Sequence, residues 1–183
     1  MEFTLVPAAY VAQELSRKVT AATFDIENEW FFFDGAFNVS MNIETSVNTW
    51  LHENFVVVCD KEIIAYFEGH WDRPLDIISG FRCINFSKKH SKVFVETILQ
   101  YIDYLFTNRG CKAINWIVAL QNEHAMKQYD RFVKSYCGRR VGMRHHAQKS
   151  YTGKISDVCL YEITQEEYLE YKRRGYTKLP EDN

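Results

Sequence analysis

Residues 111–163 read CKAINWIVALQNEHAMKQYDRFVKSYCGRRVGMRHHAQKSYTGKISDVCLYEI, and the order of elements in this stretch decides the fold. Ala113 to Leu120 is an apolar run of strand length, the pattern of a strand buried on both faces. Asn122 follows, a favoured N-cap, and opens a helix whose Ala125, Tyr129, Phe132, Val133 and Tyr136 share one face. Gly138 ends that helix, because glycine enters the left-handed conformation of a helix terminus without a Cβ penalty. Two strands are predicted next, about Arg139 to Lys149 and Ile155 to Ile163, joined by a turn containing Gly153. Thr164-x-x-Glu167 has the form of a capping box and starts a short, highly charged helix.

Upstream, Val93, Phe94, Thr97, Ile98, Tyr101, Ile102, Leu105 and Phe106 make a continuous apolar stripe at helical spacing, closed by Gly110. Phe55 to Cys59, Glu62 to Trp71 and Asp76 to Phe86 read as three strands. Their turns are Asp60-Lys61 and Asp72-Arg73-Pro74, which makes an antiparallel meander. At the N-terminal end, Phe3 to Val6 is a short strand broken by Pro7. Ala8, Val11, Ala12, Leu15 and Val19 then mark one helix, and Ile43, Val47, Trp50 and Leu51 a second. The order is β-α-α-β-β-β-α-β-α-β-β. A strand–helix–strand crossover from Asp76 to Leu120 makes those two strands parallel. The predicted class is α+β, or mixed α/β, with about seven strands and helices on both faces. Residues 1–170 are expected to form a single domain and 171–183 a charged C-terminal tail.

Composition narrows the function. Formal net charge is −2 and hydrophobic residues make up 46%, so no basic field points to nucleic acid or to an acidic membrane surface. No apolar run approaches the ~20 residues that span a bilayer, and the N-terminus lacks a basic signal-peptide region. The expectation is a soluble, cytoplasmic protein without nucleic-acid or membrane partners, monomeric or homodimeric. Five cysteines, Cys59, Cys83, Cys111, Cys137 and Cys159, contain no CxxC pair, so neither a zinc ribbon nor a thioredoxin-like motif is indicated. His145-His146 is a poor chelating pair, since adjacent strand residues point to opposite faces. No metal is expected.

Asn122-x-x-Ala125-x-x-x-Tyr129 and Gly153-x-x-x-Asp157-x-x-x-Tyr161, in this element order, resemble the GNAT N-acetyltransferase superfamily. The second motif is similar to the branch holding ribosomal-protein N-terminal acetyltransferases and spermidine acetyltransferases. The likeness in element order covers about residues 3 to 170, and the residue-level match 111–163. The resemblance implies a splayed parallel strand pair and acetyl-CoA as co-substrate. It also implies direct transfer of an acetyl group to a primary amine through a tetrahedral intermediate. The acceptor is a protein N-terminus, a polyamine or another small amine. In this reading Tyr129 is the general acid that protonates the departing CoA thiolate. Asn122 and Ala125 line the cofactor, and Ile84, Asn85 and Phe86 offer it backbone groups. A core tyrosine on an apolar helix face fits the spacing of Tyr129 equally, and Asn122 is a helix cap in either case.

One departure stands out. Where the family carries a glycine-rich pyrophosphate loop, this chain has Lys88, Lys89, His90, Ser91, Lys92 and Val93, with no glycine. The helix N-terminus and its dipole remain there, and the basic side chains suit phosphate. The alternative is a non-catalytic GNAT-fold binding or structural protein, of the kind phages encode, with an eroded CoA site. Glu68 is the candidate base, and His70, on the same strand as Tyr66, is an alternative base and a candidate contact to the acceptor substrate. All three alternate onto one face. The aromatic run Trp30, Phe31, Phe32 and Phe33 is the candidate acceptor wall, or else a cap on the core.

Overall fold

A computed structural model describes residues 3–23, 51–150 and 152–175, without the Lys88 side chain. The predicted helix over 43–51 and the aromatic run Trp30–Phe33 therefore lie outside the described residues, apart from Leu51.

Strand β1 (Phe3–Pro7) leads through a 3₁₀ turn (Ala8–Val11) into helix α1 (Ala12–Thr23). Strands β2 (His52–Cys59), β3 (Glu62–Asp72) and β4 (Ile77–Asn85) form the meander. A 3₁₀ turn (Lys88–His90) then opens helix α2 (Ser91–Thr107), which is followed by β5 (Ala113–Ala119) and helix α3 (Glu123–Ser135). Strands β6 (Arg139–Lys149) and β7 (Ile155–Thr164) and helix α4 (Gln165–Arg173) complete the chain. The described strands make one seven-stranded sheet, ordered β1-β2-β3-β4-β5-β7-β6. Every neighbouring pair is antiparallel except β4 with β5.

Local chemistry explains the turns. Asp60 and Lys61 have φ of 50° and 68°, the left-handed pair that a two-residue hairpin with matching twist requires. Gly138, at φ +97°, follows α3. A Cβ there would lie 2.6 Å from the carbonyl oxygen of Glu162, so only glycine fits. Thr164 and Glu167 close the predicted capping box at the start of α4.

Two apolar clusters hold the layers together. On one face the α2 stripe buries Val93, Ile98, Tyr101, Ile102, Leu105 and Phe106 against Phe67, Trp71, Ile78 and Phe81 of the sheet. Tyr101 stacks on Phe67 with ring centroids 5.3 Å apart. On the other face, Leu15 and Val19 of α1 pack on Val56, Ile63, Tyr66 and Ile84. The central strand β3 is buried on both sides, so it reads as a nearly continuous apolar run. Phe67 and Trp71 join the α2 side and Tyr66 the α1 side, while Ile64 and Ala65 both lie on the α2 side, where the β2–β3 register shifts.

The site is made by a mismatch between β4 and β5. Only Ile77 with Ala113 and Ile78 with Ile114 are paired, after which the parallel strands diverge. The β3–β4 register shifts between Glu68 and His70. Gly80 sits there at φ +71°, which is a bulge that turns β4 away from β5. β5 keeps seven pairs with β7 on its other edge, so β4 is the strand that leaves.

Candidate active site

The wedge between β4 and β5 opens two adjoining cavities. One, about 150 Å³, is walled by Gly80, Arg82, Cys83, Asn122, Ala125 and Tyr129, among others. The other, about 360 Å³, runs along α2 and α3 past Cys83, Asn85, Ser91, Phe94, Ala125 and Tyr129. Cys83, Ala125 and Tyr129 line both cavities.

Helix α3 positions Tyr129. Its N-cap Asn122 accepts a hydrogen bond from the Ala125 N–H at 3.1 Å, which fixes the first turn. Two turns on, the Tyr129 ring lies 5.4 Å from Trp116 and 5.8 Å from Tyr161. Trp116 and Tyr161 stack on each other, forming a rigid wall below the wedge. The Tyr161 hydroxyl donates to Asp130 at 2.7 Å, which holds the wall to α3. The Tyr129 hydroxyl meets the Cys83 sulfur of β4 at 2.9 Å.

Electrostatics keep both members of that contact protonated. Burial, then the neighbouring Cys83, pushes the Tyr129 hydroxyl well above the ordinary phenol value. Burial pushes the Cys83 thiol up to about 11, against a lowering by its bond to Tyr129. Tyr129 is thus a neutral proton donor at the edge of a cleft, already engaged with a sulfur atom. Cys137 is likewise held protonated by burial, pushed up to about 12.

The backbone on the open side of the wedge follows from register. The Phe86 N–H bonds to Ile64 of β3 at 2.9 Å. By alternation, Cys83 and Asn85 turn their backbone groups toward the wedge, while Ile84 and Phe86 turn theirs to β3. Side chains of Ile84 and Phe86 belong to the α1 cluster. Asn85 accepts the Ser87 N–H through its side chain at 2.9 Å and lines the larger cavity.

The remaining expected site residues divide. Lys89, Ser91 and Lys92 are exposed around the start of α2, whereas His90 is buried at 5% exposure. Glu68 pairs with Arg82 at 3.1 Å. Arg82 lines the smaller cavity, so Glu68 reaches the wedge through its partner and does not line it. His70 is exposed, with its ring 4.8 Å from that of His52. Asp157 holds the last hairpin, bonding the His145 ring and the His146 N–H at 2.8 Å each. Those bonds hold its carboxyl below the usual carboxylate range.

Sequence reading did not anticipate Cys83 or Arg82 as site residues. The strand signal located β4, but the facing of Cys83 onto Tyr129, 46 residues away, depends on how α3 packs across the wedge.

No protein-family model matches the sequence, and no curated protein matches it. Solved structures do match the fold. Spermidine N-acetyltransferase SpeG from Vibrio cholerae, in complex with CoA and spermine, superposes with a TM-score of 0.69 at 20% identity. The match covers 91% of this chain and 98% of that one. A chimera of the Vibrio cholerae enzyme with hSSAT matches with a TM-score of 0.68 at 20% identity, covering 93% and 99% of the two chains. With a seven-stranded sheet and one parallel pair among the described residues, the chain has the GNAT N-acetyltransferase fold, shared with these spermidine N-acetyltransferase structures.

Proposed function

We propose that the protein is an acetyl-CoA-dependent N-acetyltransferase that acts on a primary amine. The observation that carries the reading is the Tyr129 hydroxyl on the wall shared by the two cavities of the β4–β5 wedge, in contact with the Cys83 sulfur. A thioester entering the wedge would meet backbone groups of Cys83 and Asn85 on one side and the start of α3 on the other. Attack by a neutral amine on the acetyl carbonyl gives a tetrahedral intermediate. Its collapse forms the amide and breaks the C–S bond, and Tyr129 gives its proton to the departing thiolate. A high phenol pKa suits this role, because the hydroxyl stays neutral and keeps its proton across the working pH range.

Glu68, paired with Arg82 at the margin of the smaller cavity, is the proposed acceptor of the ammonium proton. Spermine bound to the Vibrio cholerae enzyme makes a polyamine the first acceptor to try, ahead of protein N-termini. Acetyl-CoA is the acyl donor of this reading, and CoA in the same neighbour supports it. The pyrophosphate would lie against the start of α2, where Lys89 and Lys92 are exposed and no side chain caps the helix.

A second reading, a GNAT-fold binding or structural protein, is favoured by the glycine-free loop alone. Thermal unfolding with acetyl-CoA separates the two. A ligand at 100 times its Kd stabilises by about 2.7 kcal/mol and raises the Tm. An unchanged Tm at millimolar acetyl-CoA rules out the enzyme reading and leaves the second.

A further inference from the structure

We propose that Cys59, Asp60 and His90 form a binding site for one divalent cation of the zinc class, tying the β2–β3 turn to the start of α2. One donor atom from each residue lies within 4.8 Å of the other two. Cys59 ends β2 and is 1% exposed, and His90 precedes α2 at 5% exposure, while Asp60 is open to solvent on the two-residue turn. Two ligands are therefore rigidly held and the third gives the ion a route in.

An independent observation points to a missing partner for His90. Its Nδ1 is engaged by the Ser87 hydroxyl at 2.8 Å. Its Nε2 is buried and has no hydrogen-bond partner among the described residues. Buried ring nitrogens are rarely left so, since losing water without gaining a partner is costly. A metal ion satisfies Nε2 directly. Ser87 then accepts the Nδ1–H, which fixes the tautomer with the Nε2 lone pair facing the ion, the usual outer-shell arrangement of a metal-bound histidine.

The donor set selects the metal. A thiolate, an imidazole and a carboxylate suit zinc, whereas magnesium and calcium favour oxygen alone. Ligand atoms on a tetrahedral zinc stand about 3.5 Å apart, given bonds of roughly 2.0–2.3 Å. Binding draws together donor atoms that now lie within 4.8 Å of one another, and the exposed Asp60 side chain has the most room to move. Water completes the fourth position. Binding releases the Cys59 thiol proton to solvent. Cys59 and Asp60 lie 30 residues or more from His90 along the chain, so no metal-ligand spacing marks the three. The inference is independent of the acetyltransferase reading.

Cobalt(II) tests it on the full-length chain, freed of metal under reducing conditions. The expected result is saturation at one equivalent, with a thiolate-to-cobalt charge-transfer band and the intense visible bands of a tetrahedral ion. Zinc should displace the cobalt. Cys59→Ser should abolish the charge-transfer band, and His90→Gln should weaken binding by more than about 100-fold, beyond the cost of a lost outer-shell partner. Ser87→Ala should weaken it by roughly 10-fold. Asp60→Asn keeps a residue that tolerates the left-handed turn, so it should retain the wild-type circular dichroism spectrum and still bind cobalt at least 10-fold more weakly. Absence of saturable absorption at one equivalent overturns the site. So does unchanged affinity in both Asp60→Asn and Ser87→Ala, or loss of the bands in His145→Ala instead.

Discussion

Two helix N-termini face the wedge, and they are built in opposite ways. α3 caps itself: Asn122 takes the Ala125 N–H, and the first turn is closed by its own chain. α2 begins from a 3₁₀ turn, and the His90 side chain at its N-cap accepts no bond from the first turn. The self-capped helix is a fixed post that aims Tyr129. The uncapped one, ringed by exposed Lys89 and Lys92, keeps its positive dipole end for an anion. In the proposed reaction, fixing the proton donor and receiving the charged ligand are thus divided between two helices of one cleft.

The largest effect should come from the post. Tyr129→Phe keeps the ring against Trp116 and Tyr161 and removes the hydroxyl, with its contact to the Cys83 sulfur. Acetyl transfer to a polyamine should fall by roughly 10²–10⁴-fold, with acetyl-CoA affinity little changed. The pH profile carries a second check. Because burial lifts the Tyr129 hydroxyl well above 10.0, its proton is retained as pH rises to 10. The wild-type rate should show no alkaline fall below pH 10 that disappears in Tyr129→Phe. Such a fall would mean that Tyr129 loses its proton below pH 10, against the burial that holds it.

A smaller effect is expected from the cap. Asn122→Ala removes the bond to the Ala125 N–H and should lower unfolding stability by about 0.5–2 kcal/mol in denaturant titration. An unchanged midpoint would show that α3 is held by its packing alone and that the two helix starts do not differ in the way described. The smallest effect belongs to the α2 end. Lys89→Ala with Lys92→Ala should weaken CoA about 3- to 30-fold at low salt, from roughly 0.3–1 kcal/mol per charge. Wild type and double variant should converge as salt is raised. If the double variant binds CoA as tightly as wild type, the phosphates are held elsewhere.

Much of this arrangement was legible in the residues. The 3.6-residue stripe from Val93 to Phe106 placed α2. Asn122, Gly138 and the Thr164–Glu167 box marked helix ends at the positions where they occur. Strand β2 is the main local revision: it starts at His52 rather than Phe55, because pairing with β3 carries the polar residues His52, Glu53 and Asn54 into the sheet. A periodicity search stops where the apolar run stops, whereas hydrogen-bonded pairing does not.

Sequence alone determined the order of elements, the parallel crossover and the helix that carries Tyr129, because caps, periodicity and chain connectivity act over a few residues at a time. Tertiary structure decided that β4 parts from β5 after two residues, that Cys83 meets Tyr129, that Arg82 stands between Glu68 and the cavity, and that Cys59 and Asp60 converge with His90. Each of these joins residues 14 or more apart in the chain. Such contacts are set by a bulge, a register and the packing of helices across a sheet, and none of these leaves a local trace.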